Sequence, residues 1–155
     1  MDWLLGSGVC DLGGRVYCVG GWNGQYGMRQ CNVLDPQSRQ WSDIAPLNFG
    51  RYQAAVTATS GKLYAVGGCD TWNCLNTVEV YDPELNAWDS LPPLNTARRG
   101  CGVAFYQSIQ PFFHQTYQLL LSLLFSPVSL MVSVTGCHRS GPGSSPASVK
   151  VFFSR

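Results

Sequence analysis

The sequence predicts an all-β fold made of propeller-type blades, each a sheet of four antiparallel strands. Three observations predict it: an internal repeat, short strand-like segments within each repeat, and turn residues between those segments. When the chain is moved by 47 positions it matches itself without gaps, and the Gly-Gly, Asp-Pro and Trp positions all recur. A repeat of this length is typical of propellers, solenoids and arrays.

The content of each repeat distinguishes between these architectures. The second repeat holds the segments YQAAVTAT (52–59), KLYAVGG (62–68), TVEVYDP (77–83) and AWDSL (87–91). These segments are rich in β-branched and aromatic residues, and Gly, Pro, Asn and Asp separate them. No segment of the repeat has helical periodicity of useful length. Four short strands per repeat indicate one propeller blade.

Several repeated positions are expected to hold the blades together. A Gly pair ends the second strand, where the lack of Cβ atoms allows positive φ and the close approach of a neighbouring blade. Asp-Pro ends the third strand, and a Trp begins the fourth and fills the wedge between sheets. An Arg opens the first strand of the next unit, and its guanidinium is expected to reach backbone carbonyls. The structural anchors are Gly20, Gly21, Trp41, Arg51, Gly67, Gly68, Trp88 and Arg98.

These motifs resemble a known repeat family. Gly-Gly, a spaced Tyr and then Trp, at this repeat length, is similar to the kelch repeat, and residues 14–106 carry the resemblance. The strings YCVGGWNGQYG, CNVLDP, APLN, WNCLNTVE and ARRGCGVA resemble the BTB–kelch family in particular. The resemblance implies a kelch β-propeller that binds proteins, with actin filaments or the substrate of a cullin–RING ubiquitin ligase as partners.

The repeat divides the chain into unequal segments. A closed propeller has about four to eight blades, whereas this sequence supplies about two blades and one orphan strand. We therefore expect a piece or a shortened product of a longer kelch protein, without the family's BTB domain. The segments are 1–13 (truncated N-terminal segment, with the first strand of blade one), 14–50 (kelch repeat one), 51–97 (kelch repeat two), 98–107 (first strand of an incomplete third repeat) and 108–155 (an unrelated, non-kelch, apolar and low-complexity C-terminal tail).

The composition argues against several classes of function. The net charge is +1 and charged residues make up 12%, so no strong field favours nucleic acid or an anionic membrane. Both histidines, His114 and His138, lie in the tail, and the common catalytic and nucleotide-binding motifs do not occur. We expect no enzyme activity, no catalytic residue, no metal and no cofactor.

Cys69 and Cys74 raise the question of a metal or redox loop. Structural zinc needs four converging ligands, and no second pair or histidine cluster lies near these two in the sequence. The odd total of seven cysteines indicates a reducing, intracellular setting, the cytoplasm or also the nucleus, with a disulfide expected only in an oxidising compartment. In the repeat, Cys69 overlays Trp22 and Cys74 overlays Gly27. We interpret both as packing or loop cysteines.

Two sets of loops are candidate contact surfaces for a protein partner. The loop between the second and third strands carries Trp72 in one repeat and Tyr26 in the other. Exposed aromatic residues on variable loops favour protein binding, and the alternative is that Trp72 folds back over its own blade edge. The connection between the fourth and first strands is the second set. The partner-binding candidates are Asn23, Gln25, Tyr26, Tyr52, Asp70, Trp72, Asn73 and Arg99.

The tail leaves a second class of function open. Its apolar stretch LLLSLLFSPVSLMVSV is interrupted by Pro127 and by serines, which disfavours a membrane span. The leading hypothesis is a non-enzymatic protein–protein interaction module. The alternative is a non-functional or membrane-associated truncation product. Open blade edges would also allow self-association.

Overall fold

The computed structural model describes residues 5–104, which form two four-stranded antiparallel sheets. The strands of each sheet are hydrogen-bonded in chain order, so the all-β prediction and the four-stranded blade are confirmed. Blade one contains β1 (Gly8–Leu12), β2 (Arg15–Val19), β3 (Cys31–Asp35) and β4 (Gln40–Ile44). Blade two contains β5 (Ala55–Thr59), β6 (Lys62–Val66), β7 (Val78–Asp82) and β8 (Ala87–Leu91).

The two blades meet along their first strands. β1 pairs with β2 from Gly8 opposite Val19 to Leu12 opposite Arg15, so a strand from the N-terminal segment completes blade one. β1 and β5 lie side by side, which makes them the inner strands. β4 and β8 are the outer edges of their sheets.

The aspartate of each Asp-Pro motif closes the turn after the third strand. Asp35 Oδ1 accepts a hydrogen bond from the N–H of Gln37 at 2.8 Å, and Asp82 Oδ1 accepts one from the N–H of Glu84 at 2.9 Å. Because a proline follows each aspartate and has no N–H to donate, the ladder ends there. In blade two, Lys62 Nζ also lies 2.9 Å from Asp82 Oδ2 and joins β6 to the end of β7.

The main core lies between the two blades. Alternate side chains of β6, Leu63 and Ala65, face blade one, whereas Val66 faces the other side of blade two. This alternation follows from the two-residue period of a strand, and it divides the apolar residues of blade two between two clusters. The buried residues between the blades are Tyr17, Val19, Cys31, Leu47, Leu63, Ala65, Tyr81 and Trp88.

The Gly pairs allow the connection to the next unit to cross the end of the second strand. A Cβ on Gly20 would lie 2.3 Å from the carbonyl oxygen of Arg51, and one on Gly67 would lie 2.5 Å from that of Arg98. Any other residue would displace the crossing backbone and would also be strained, because φ is positive there. The glycines with positive φ in these pairs are Gly20, Gly21, Gly67 and Gly68.

Residues 98–104 follow blade two without forming a strand. Cys101 and Val103 instead pack against a cluster on the far face of blade two that includes Val66 and Leu94. The predicted first strand of a third repeat, residues 98–107, is therefore not formed in the described part of that range. The backbone N–H groups of Arg98 and Gly100 instead donate to the carbonyls of Leu75 and Gln53 in the loops before it. The predictions for 105–107 and for the tail, 108–155, lie outside the described residues.

Residues 5–104 contain no helix long and apolar enough to cross a membrane.

Candidate functional site

The candidate site is one end of the two blades, which we call the loop face. It consists of residues 20–30, 45–54, 67–77 and 98–100. These segments share one end because strands in each blade alternate in direction, so the loops after β2, β4, β6 and β8 all emerge on the same side. The β3–β4 and β7–β8 turns lie at the opposite end.

Hydrogen bonds join the loops of the two blades into one surface. The N–H of Gly27 donates to the carbonyl of Asp70 at 2.9 Å, which connects the β2–β3 loop to the β6–β7 loop. Tyr52 and Cys69 exchange two backbone hydrogen bonds, of 2.9 and 2.8 Å. The ring of Tyr52 also lies 4.8 Å from the ring of Trp22. The loop face is therefore internally bonded, which reduces the conformational entropy that a partner would have to remove.

The β6–β7 loop holds Trp72 away from the blade. Asp70 Oδ1 accepts hydrogen bonds from the N–H groups of Thr71, Trp72 and Asn73, the last two at 2.9 Å. These backbone donors, that of Asn73 most, keep the pKa of Asp70 below its ordinary value. The Trp72 side chain is 90% exposed, so it does not fold back over its blade edge.

The β2–β3 loop repeats this arrangement with an amide in place of the carboxylate. Asn23 Oδ1 accepts hydrogen bonds from the N–H groups of Gln25 and Tyr26, both at 2.9 Å. Tyr26 is 53% exposed. Asn23 and Asp70 occupy equivalent repeat positions, so each loop is shaped by its own side-chain oxygen and presents an aromatic residue to solvent.

The Asp70 turn is expected to loosen in acid. Because the pKa of Asp70 is lowered in the folded state, the stabilisation is present above its ordinary pKa of 3.8 and is lost as the pH falls through the lowered value. The amide resonances of Trp72 and Asn73 should therefore shift together in an NMR titration, with a midpoint below 3.8. Asp70→Asn should abolish this titration. A midpoint at or above 3.8 in the wild-type chain would contradict the prediction.

Arg98 and Arg99, in the connection that follows β8, differ in their exposure to solvent. Arg98 is half-buried, whereas Arg99 is exposed. The thiol of Cys69 lies beside Arg99 and raises the pKa of its guanidinium above the ordinary value. Tyr52, at the repeat position of Arg99, is half-buried, and its ring is tilted by 55° against that of Trp22. Of this connection's two candidates, Arg99 is thus the more available to a partner.

Arg51 lies beneath the loop face and is fully buried. Its Nη1 donates to the carbonyls of Gly67 at 2.7 Å and Thr77 at 3.1 Å. Burial lowers the pKa of Arg51, and the charge of Glu79 opposes that effect. The expectation that this arginine opens a strand is wrong, because Arg51 lies in the connection ahead of β5. Its backbone is hydrogen-bonded to the β2–β3 loop, and that position sends the side chain under blade two.

Glu79 joins the buried arginine to the β4–β5 connection. Its Oε1 accepts from Arg51 Nη2 at 2.6 Å, and both side chains are 0% exposed. The same carboxylate accepts the N–H of Asn48 at 2.7 Å and of Phe49 at 3.2 Å. In the first repeat the position of Arg51 is Leu4. The position of Glu79 there is Asn32, so the buried charge occurs only where its partner does.

The two repeated tryptophans have different surroundings. Trp88 is buried between the blades, where its Nε1 donates to the carbonyl of Ala45 at 2.9 Å and its ring lies 5.1 Å from that of Tyr81. Trp41, at the equivalent position of blade one, is half-buried. The wedge is filled only where a second blade packs on it.

Two exposed apolar residues at the same end were not among the sequence candidates. Phe49 is 49% exposed in the β4–β5 connection, and Leu5 is 69% exposed ahead of β1. Phe49 carried a detectable signal, since the equivalent residue of the second repeat is Thr96. An apolar residue that replaces a polar one in a surface connection is a candidate contact residue.

Residues 5–104 contain no group of three or more His, Cys, Asp or Glu side chains placed to hold a metal ion. The exposed side chains of the loop face include Trp72, Tyr26 and Arg99, and aromatic residues and arginine are common in protein recognition.

Known proteins resemble this chain in sequence in two cases and in fold in a third. The Kelch motif family matches residues 4–48 and 50–95. Kelch-like protein 4 of Homo sapiens is 40% identical over 48 residues, which cover 31% of this chain and 7% of that protein. A fungal alcohol oxidase of the AA5 family, solved in complex with copper, superposes with a TM-score of 0.56 at 18% identity, over 61% of this chain and 23% of the oxidase. The latter likeness shows the fold alone.

Proposed function

The chain belongs to the Kelch motif family, and we propose that its loop face binds a protein partner without catalysing a reaction. The observation that carries this proposal is the 90% exposure of Trp72 on a loop that three hydrogen bonds to Asp70 hold in place. A large aromatic residue kept in water at a fixed position is the kind of anchor that dominates protein–protein binding energies.

The other exposed side chains of the loop face favour a partner with both an apolar and an acidic group. Tyr26 is 53% exposed and Phe49 is 49% exposed on the same face, which provides further aromatic surface. Arg99 supplies an exposed guanidinium, which pairs well with a carboxylate.

The distribution of histidine in the sequence favours binding over catalysis. Residues 1–113 contain no histidine, the side chain that most often serves as metal ligand or general base. The likeness to the alcohol oxidase rests on 18% identity and concerns the fold, and folds of this kind host unrelated functions.

The resemblance to BTB–kelch proteins extends the proposal to particular partners. They are actin filaments or the substrate of a cullin–RING ubiquitin ligase, in the cytoplasm or the nucleus. YCVGGWNGQYG and WNCLNTVE resemble the influenza-virus non-structural-protein-binding protein of that family. In the family the BTB domain makes the ligase contact, so residues 5–104 would contribute substrate binding alone.

Trp72→Ala is expected to weaken partner binding at least tenfold while leaving the unfolding midpoint unchanged. Truncation of a binding anchor costs about 2 kcal/mol or more, and the exposed indole packs little in the free chain. The full chain would be used to select ligands from a displayed random-peptide library. Affinities of the selected peptides would then be measured for both proteins, and filamentous actin would be tested by co-sedimentation.

Leu85→Ala provides the matched control. Leu85 is 72% exposed but lies in the β7–β8 turn, at the opposite end of the blades. Its replacement should leave peptide affinity within about twofold. If the selected peptides bind Trp72→Ala as tightly as the wild-type chain, or lose affinity equally with Leu85→Ala, the loop face is not the binding surface.

A further inference from the structure

Two thiols face each other at the base of the loop that carries Trp72. Cys69 and Cys74 form an isolated antiparallel bridge, and the Cys69 Sγ donates to the Cys74 Sγ at 3.5 Å. Both are free thiols. Cys69 is 2% exposed, whereas Cys74 is exposed to solvent.

The backbone around this pair already has the spacing that a disulfide requires. The flanking hydrogen bonds run from Asp70 N to the carbonyl of Asn73 at 3.1 Å and from Leu75 N to the carbonyl of Gly68 at 2.8 Å. Cys69 and Cys74 are therefore a non-hydrogen-bonded pair, in which Cα atoms lie about 4.5 Å apart and side chains are closest. Disulfides span Cα separations of about 4.4–6.8 Å, so the bond can form by side-chain movement alone.

The β-bridge at the base of this loop occurs in both blades, whereas the facing thiols occur in blade two. In blade one the equivalent bridge joins Trp22 and Gly27, which have no thiol. The backbone closure of the loop thus exists without a covalent bond in blade one, and blade two adds two sulfur atoms to the same closure. A disulfide would add a covalent bond to a loop closure that the backbone already makes.

The different environments of the two thiols assign them different roles. Burial raises the pKa of the Cys69 thiol and the contact with Cys74 raises it further, while Arg99 beside it acts in the opposite direction. Cys74 is the accessible thiol and meets an oxidant first. Cys69 lies within reach of the oxidised Cys74 and is shielded from a second oxidant molecule.

We propose that Cys69 and Cys74 are a redox modification site, in which a peroxide converts the thiol pair to a reversible disulfide that locks the Trp72 loop. The Cys74 sulfur attacks the peroxide O–O bond and becomes a sulfenic acid, with release of one water. The Cys69 sulfur then displaces the sulfenic oxygen as a second water. Two thiols are oxidised by two electrons in total, and a dithiol reductant reverses the step by exchange.

The disulfide would change the loop face in two ways. It would close residues 69–74 into a covalent ring, and it would remove the Cys69 thiol that contacts Arg99. Both changes act at Trp72 and Arg99, and only this consequence for partner affinity rests on the proposed function. Formation of the disulfide rests on the geometry of the thiols alone.

Tryptic peptides separate this pair from the other cysteines. Cleavage after Lys62 and Arg98 yields residues 63–98, whose two cysteines are Cys69 and Cys74. Cys18 and Cys31 fall in separate peptides, 16–29 and 30–39. The full chain would be treated with about one equivalent of hydrogen peroxide, alkylated without reduction, digested and analysed by mass spectrometry.

We expect peptide 63–98 to lose two hydrogen atoms and its alkylation sites at least tenfold faster than Cys18 or Cys31 loses alkylation. A dithiol should restore it, and Cys69→Ser and Cys74→Ser should each abolish the product. A sulfinic acid in place of the disulfide would overturn the proposal, as would an equal rate in urea, where the fold no longer holds the pair together. This readout needs no partner, so it fails or succeeds independently of the binding experiment with Trp72→Ala.

Discussion

Arg51→Met is expected to destabilise the fold by about 3–5 kcal/mol. The change removes the guanidinium that donates to Gly67, Thr77 and Glu79 and leaves the Glu79 carboxylate buried without its counter-charge. An uncompensated buried charge costs far more than the loss of one hydrogen bond. Urea unfolding of the full chain, followed by circular dichroism and tryptophan fluorescence, measures the change.

Two further variants separate the buried charge from simple loss of packing. Arg98→Met removes the equivalent arginine of the next repeat, which is half-buried, and should cost no more than about 1 kcal/mol. Adding Glu79→Gln to Arg51→Met should recover part of the stability, because the amide is neutral and still accepts the N–H of Asn48. A double variant that loses the full sum of the two single effects would show that the ion pair is not the cause.

Trp88→Ala is expected to cost about 3–5 kcal/mol, because it empties the wedge between the blades. The indole is 7% exposed, its ring lies 5.1 Å from Tyr81, and its N–H bonds the carbonyl of Ala45. The deletion removes packing from both blades and leaves that carbonyl without its donor. The same urea titration gives the free energy, and Trp88→Phe should lie between wild type and Trp88→Ala.

Trp41→Ala is the matched control for the wedge. Trp41 holds the same repeat position, but it is half-buried at the outer sheet edge of blade one. Its replacement should cost no more than about half as much as that of Trp88. Equal losses at the two positions would mean that the tryptophans act within their own sheets and do not join the blades.

Features that depend on neighbours along the chain could be predicted from the sequence. The strands follow from β-branched and aromatic runs, and their ends follow from Asp-Pro and Gly-Gly, whose effects act within a few residues. The repeat adds the order of strands, because two units with the same anchors fold in the same way. Chain-order pairing of β5 to β8 could thus be predicted before any contact was known.

Features that depend on distant residues could not be predicted in the same way. The expectation for Arg51 concerned backbone carbonyls and did not include its ion pair with Glu79 on β7. No local sequence pattern marks Glu79 as buried. The sequence interpretation of Cys69 and Cys74 was that they are packing or loop cysteines. Their side chains meet because a β-bridge, and not their spacing, brings them together.

The sequence by itself determined that this protein contains kelch-type four-stranded blades with aromatic loops at one end, because strand period and turn chemistry are local properties. Only the tertiary structure decided which of those residues are exposed, buried or paired. Trp88 is buried and Trp41 only half-buried although they hold equivalent repeat positions, since blade one packs on Trp88. Burial is a property of the packed blades, and the repeat pattern cannot specify it for residues at equivalent positions.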